Sequence, residues 1–245
     1  MRSIYHNSPI AFACIWISIY TGLLSICDGL SSQVGIAKIV TAPAAILLSI
    51  VMVMLLKRWD VHKECGLQKP QEKAKTYLYY IPMFLIIAPN LWWGVSLQMS
   101  ITETVLYVIS MLCVGFLEEL IFRGLLYNAL EQEGVKSAVL ISTLTFGIGH
   151  IFNIFNFEVP IWQTLLQVCY AVAAGWMFTI VYKQTHSILI CAAAHAALNM
   201  LSAFTPTEQT ITQSLTDAVY LCVLPVIYTL YLIHQEKKMD TISTL

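Results

Sequence analysis

The sequence predicts an all-α, polytopic integral membrane bundle of about eight transmembrane helices, with both termini in the cytoplasm. Three observations carry that prediction. First, 58% of the 245 residues are hydrophobic and 11% are charged, against about 45–50% and about 25% in soluble domains. A soluble core this apolar would lack the charges to cover its surface, whereas lipid needs none. Second, apolar windows recur between polar breaks, each near the roughly twenty residues that cross a ~30 Å hydrocarbon core. Third, lysine and arginine collect in alternate breaks, as cytoplasmic loops require.

The windows run approximately Pro9 to Leu30, Ile39 to Leu56, Tyr77 to Leu97, Thr104 to Asn128, Ser137 to Asn153, Pro160 to Tyr182, Ser187 to Phe204 and Leu215 to Ile233. The first follows one early basic residue, Arg2, and the CDGLSSQVG behind it offers no A-x-A cleavage pattern; it reads as a retained span and not as a signal peptide. Between the second and third lies KRWDVHKECGLQKPQEKAK, with Lys57, Arg58, Lys63, Lys69, Lys73 and Lys75. This loop anchors the orientation. Threading the spans from it puts Arg2, Lys136, Lys183, Lys237 and Lys238 on the same cytoplasmic side and leaves only Lys38 outside, so eleven of thirteen basic residues are inside. The third window carries Pro82 and Pro89, each of which deletes a helix donor and should kink it. The fifth window is short.

Residues 1–245 read as a single transmembrane domain without a soluble domain, a low-complexity linker or an internal repeat. The formal net charge of -1 and the scattering of basic residues among loops exclude nucleic acid as a partner and leave the lipid bilayer. Cys14, Cys27, Cys65, Cys113, Cys169, Cys191 and Cys222 form no CxxC pair and fall mostly inside apolar windows; they read as small buried hydrophobes in preference to a disulfide or zinc set.

The fourth window organises the chain, because it holds Glu118, Glu119 and Arg123 well inside its ends. Each ionisable group at the centre of a span costs about 2.5–3.5 kcal/mol on insertion scales, so a functional site is the default reading. Glu119 and Arg123 stand at i and i+4 and share a face, while Glu118 points about 100° away. The pair offsets its own cost; Glu118 needs a cation, a metal or water supplied by another helix.

Two other windows present suitable groups. The fifth has Phe146 and His150 at i and i+4, and the seventh has His195 and Asn199 at the same spacing. Alanines surround His195 and Gly147 and Gly149 precede His150, which lets backbones approach closely. By rise per residue, Glu118, His150 and His195 fall roughly 12 to 20 Å from the cytoplasmic face. Taken singly, each has a plain reading: a hydrogen-bonded packing histidine, an asparagine bridging helices, a core phenylalanine, an interfacial acid pair. Together, an acid, two histidines and an asparagine at compatible depth ask for a shared reason.

EExxxR (Glu118, Glu119, Arg123), FxxxH (Phe146, His150) and HxxxN (His195, Asn199), in this order on hydrophobic spans, resemble the CPBP intramembrane proteases, the CAAX prenyl protease 2 or Abi family. The motifs cover about Met111 to Ser202, inside a catalytic core of about 104–204, and FRGLLYNAL and HSILICAAAHAALN look like prokaryotic members. The resemblance implies an intramembrane endopeptidase that cuts a membrane-bound peptide or protein near the cytoplasmic side. For a prokaryotic-type member it also implies the plasma membrane and a role in peptide maturation, bacteriocin self-immunity or regulation. Glu118 would be the general base that takes a proton from water, with His150 holding that water. His195 and Asn199 would donate to the oxyanion, and Glu119 paired with Arg123 would orient Glu118. Two histidines and a carboxylate are also a usable zinc set, and family members have been described both ways. The chain has no HExxH and its histidines lie on different spans, so metal-independent hydrolysis leads, no cofactor is assigned, and zinc stands as the alternative. A proton- or ion-coupled transporter and a non-catalytic immunity or binding protein are the competing classes.

Overall fold

The computed structural model describes residues 1–70, 74–155, 160–206 and 208–243. Among them the regular structure is all helical, with α1 at Arg2–Asn7, α2 at Pro9–Val34, α3 at Thr41–Arg58 and α4 at Pro89–Trp92. Further on come α5 at Ile101–Glu119, α6 at Asn128–Glu131, α7 at Val135–Gly149, α8 at Ile161–Thr185, α9 at Ile188–Leu201 and α10 at Ile211–Ser243. Within this range six stretches are long and apolar enough to cross a membrane: Pro9–Val34, Thr41–Arg58, Ile101–Glu131, Val135–Ile154, Ile161–Thr185 and Ile211–Lys238. Two shorter apolar helices, Tyr77–Ile87 and Ile188–Phe204, take the places of the third and seventh windows. The chain is therefore a polytopic helical membrane protein, in which the eight windows become six long helices and two short ones. Lys73 of the basic loop lies outside the described residues.

Local chemistry sets these boundaries. Pro9 opens α2 at its first turn, where a missing N–H costs nothing, and Gly35 closes it in the left-handed conformation at φ 78°. Pro82 lies inside the 3-10 segment Ala74–Ile87, and Pro89 restarts the chain as the first residue of α4. Both prolines break the third window as their missing donors require. Ser100 starts α5 with a capping box: its hydroxyl accepts from the Glu103 amide while Glu103 Oε2 accepts from the Ser100 amide at 3.1 Å.

Polarity is arranged for lipid. Large apolar side chains such as Leu47, Ile50, Val219 and Ile227 face outward, while Glu119 and Arg123 are fully enclosed. The helix that carries them does not run regularly. Leu120–Tyr127 is a π-helical stretch between α5 and α6, and its loosened carbonyls find side-chain donors: Ser142 Oγ donates to Phe122 O at 2.8 Å, and Asn128 Nδ2 to Gly124 O at 2.9 Å.

α5 crosses α9 at very short range. A Cβ on Gly115 would stand 2.7 Å from the Ala196 amide nitrogen, so only glycine fits, and the alanines around His195 complete the close approach. The segment after α3 folds back under the bundle instead of hanging in solvent. Val61 and Cys65 are buried there, and Ile188 N donates to Gly66 O at 3.0 Å. Asn128 Nδ2 reaches Glu64 O at 2.6 Å, and Ser187 Oγ donates to Gln68 O at 2.6 Å. Gly124 sits directly above, where a Cβ would lie 2.5 Å from the Cys65 carbonyl oxygen. Burial pushes the Cys65 thiol up to about 11.

Candidate active site

The C-terminal end of α5 supplies two adjacent acids with opposite surroundings. Glu119 is fully buried, with Arg123 Nη1 3.0 Å from its Oε1 and His195 Nδ1 2.9 Å from the same oxygen. Arg123 also donates from Nη2 to Gly175 O at 2.9 Å, and its guanidinium lies over the Phe146 ring at 4.4 Å from the centroid. Glu119 Oε2 and Arg123 Nε keep no hydrogen-bond partner among the described residues, so Arg123 and His195 meet Glu119 through its Oε1.

Glu118 points elsewhere, as helix geometry requires of its neighbour. Its Oε1 accepts from the Tyr20 hydroxyl at 2.6 Å, and His195 Nε2 stands 3.4 Å from its Oε2. One imidazole therefore touches both acids, by Nδ1 to Glu119 and by Nε2 to Glu118. Its plane is fixed by Phe178, stacked at 5.4 Å, and by the edge-on Phe146 ring at 5.6 Å.

Glu118, His150, His195 and Asn199 all line one cavity of about 620 Å³, and Tyr20 lines it with them. His150 follows the end of α7, where its Nδ1 lies 3.1 Å from the Phe146 carbonyl oxygen. A carbonyl oxygen only accepts, so Nδ1 is the donor in this contact and Nε2 is turned away from it. The ring also packs against Phe146 at 5.3 Å. Phe146 thus serves more than the core, since it meets Arg123, His150 and His195 at once.

The structure brings four of the six predicted residues to the cavity wall and sets Glu119 and Arg123 behind it. Sequence reading missed Tyr20. The signal was present: Phe12, Trp16, Tyr20 and Leu24 form a buried stripe at i+4 spacing on α2, and Tyr20 is the one member with a hydroxyl to satisfy. It also missed Phe178 and the Gly175 carbonyl, whose roles depend on how α8 packs and have no local signature.

The cavity extends away from the basic loop. Its wall includes Asp28 near the end of α2, Thr41 at the start of α3, Tyr107 early in α5, Asn153 after α7 and Ser202 after α9. Lys38 also lines it, with Nζ 2.8 Å from Asp28 Oδ1. A larger groove of about 910 Å³, between α7, α8 and α10, holds none of the six candidate residues. Among the described residues no three His, Cys, Asp or Glu side chains are arranged to hold a metal ion, so the zinc alternative gains no ligand set here.

Residues 100–201 match a protein-family model, described as Type II CAAX prenyl endopeptidase Rce1-like. No curated protein matches the chain, and no solved structure does.

Proposed function

Since residues 100–201 are a domain of the Rce1-like type II CAAX prenyl endopeptidase family, we propose that the chain is an intramembrane endopeptidase that hydrolyses a membrane-anchored peptide or protein at Glu118. One observation carries the reading: a glutamate on the wall of an intramembrane cavity with each carboxylate oxygen met by a side chain from another helix, Tyr20 and His195. Such bracing preorganises a base instead of merely neutralising it.

In the proposed reaction a water in the cavity loses a proton to Glu118. His150 Nε2 accepts the water's other hydrogen bond and orients its lone pair toward the scissile carbonyl. The oxygen bonds to the carbonyl carbon, and the developing oxyanion takes hydrogen bonds from His195 Nε2–H and the Asn199 amide. Glu119, 2.9 Å from Nδ1, holds the ring so that Nε2 faces the cavity. When the C–N bond breaks, Glu118 gives its proton to the leaving amine, so the products are a carboxylic acid and an amine, and transfer of the acid's proton to the amine leaves a carboxylate and an ammonium. Arg123 keeps Glu119 in place and takes no part in the chemistry. The biological setting we propose is peptide maturation or bacteriocin self-immunity in a prokaryotic plasma membrane, a reading supported by the resemblance of the motif context.

The test is cleavage of a candidate membrane peptide, read by mass, with wild type, Glu118→Gln, His150→Ala and His195→Ala at matched membrane levels. All three variants should lose cleavage; removal of a single oxyanion donor elsewhere costs about a hundredfold to a thousandfold. Activity equal to wild type in Glu118→Gln would overturn the proposal and turn the constellation into a packing device.

A further inference from the structure

Two features, taken together, decide which side of the membrane reaches Glu118. At one end of the bundle the segment from Trp59 to Pro70 forms a floor. Cys65 and Val61 are buried, the Gly66 and Gln68 carbonyls are bonded to Ile188 and Ser187, and the Glu64 carbonyl is bonded to Asn128. Between this floor and the two glutamates lie Leu120, Ile121, Tyr127, Val181, Tyr182 and Cys191, none with appreciable exposure. Tyr127 and Tyr182 close edge-on at 5.5 Å. None of these six residues lines the cavity that holds Glu118.

At the other end the cavity is bounded by the C-terminal ends of α2, α7 and α9 and by the N-terminal ends of α3, α5 and α8. It widens toward residues that solvent can touch, including the exposed Asn153 and the half-exposed Asp28 carboxylate. The two ends differ in charge as sharply as in packing. Lys57, Arg58, Lys63, Lys69, Lys136, Lys183, Lys237 and Lys238 belong to the floor end, and among the basic residues described Lys38 alone belongs to the cavity end, where Asp28 neutralises it. Lysine and arginine in short loops stay in the cytoplasm.

We infer that the catalytic cavity opens to the extracytoplasmic face, and that its substrate is an extended segment displayed on that side by a membrane-anchored peptide or protein. The inference deepens the protease reading and rests on it for the word substrate. It replaces the cytoplasmic-side expectation that came with the resemblance; Glu118 lies near mid-span, and depth there does not say which end is open. Prenylated tails in the cytoplasm would meet the closed floor. The cavity wall fits an uncharged peptide, being built from aromatic groups (Tyr107, Tyr170) and amides (Asn90, Gln167) around one neutralised ion pair.

The experiment is thiol labelling in intact cells with a membrane-impermeant maleimide, in a background where Cys14 and Cys169 are alanine. Met111→Cys reports from the cavity wall, about two turns from Glu118; Asn153→Cys reports from its mouth, and Lys63→Cys from the floor end. Expected is equal labelling of Met111→Cys and Asn153→Cys before and after permeabilisation, and labelling of Lys63→Cys only after it. Labelling of Met111→Cys only after permeabilisation, or not at all, overturns the inference. A parallel assay presents the same cleavable peptide from a single-span anchor on either side of the membrane. Cutting of the cytoplasmic version alone also overturns it, while correct labelling with no cutting of either version sinks the protease reading and leaves the access route standing.

Discussion

Glu118 and Glu119 are held by different partners, Tyr20 and Arg123 among them, whose contributions separate cleanly. Tyr20 gives one hydrogen bond to a carboxylate oxygen, and hydrogen bonds to charged groups are worth about 1.5–3 kcal/mol. Tyr20→Phe removes that bond with almost no change of volume, so kcat should fall about tenfold to a hundredfold while KM and the thermal midpoint stay near wild type; kinetics and a melt on the same preparation check it. Arg123 is a different matter. It is enclosed beside Glu119, and deleting one partner of a buried pair costs about 3–5 kcal/mol because the other charge is stranded. Arg123→Met should therefore lower the unfolding midpoint in detergent more than it alters any surviving activity, and the added substitution Glu119→Leu should recover part of the stability. The sequence made Glu118, Glu119 and Arg123 conspicuous because ionisable groups are costly in lipid. Tyr20 stood in an ordinary aromatic stripe, so its partner could be found only by packing α2 against the π-helical stretch.

At the scale of elements, the site is a crossing of α5 and α9 at glycine distance. Gly115→Val would force side-chain carbons into the Ala196 backbone, and overpacking of this kind costs about 1–3 kcal/mol. The expected outcome is a correctly inserted protein in which α9 is displaced and His195 no longer spans both acids, giving loss of cleavage with membrane levels retained. The apolar windows foretold the long helices well, since hydropathy reads length directly. They did not foretell that the third window would wind as a 3-10 segment and restart at Pro89, although its two prolines announced a break. The π-helical stretch Leu120–Tyr127 was not legible at all. No proline marks it, and it is stabilised by Ser142 of α7 and Asn128 at the start of α6.

For the whole molecule, the bundle is open at one end and floored at the other, and the floor has its own chemical reporter. Cys65 is buried beneath Gly124 with its thiol pushed up to about 11. A group raised this far stays protonated, and so unreactive, until the pH nears that value. Maleimide at pH 7.5 should leave Cys65 unmodified even in permeabilised membranes, and a denaturant should release it. Hydropathy marked the windows, but the docking of Val61, Cys65 and Gly66 into the bundle from an otherwise polar loop departs from the usual run of connections over a surface and had no sequence cue. That floor also imposes an order on synthesis. Ser187 and Gln68, which it joins, are 119 residues apart, and chains emerge from the ribosome N-terminus first. The loop must therefore wait, uncovered, while α5, α7 and α8 are made and inserted. A nascent chain arrested before Ile188 should expose the Cys65 thiol to modification, and its protection should appear only once α9 has been threaded, so that the same sulfur that marks the finished floor also times the last act of assembly.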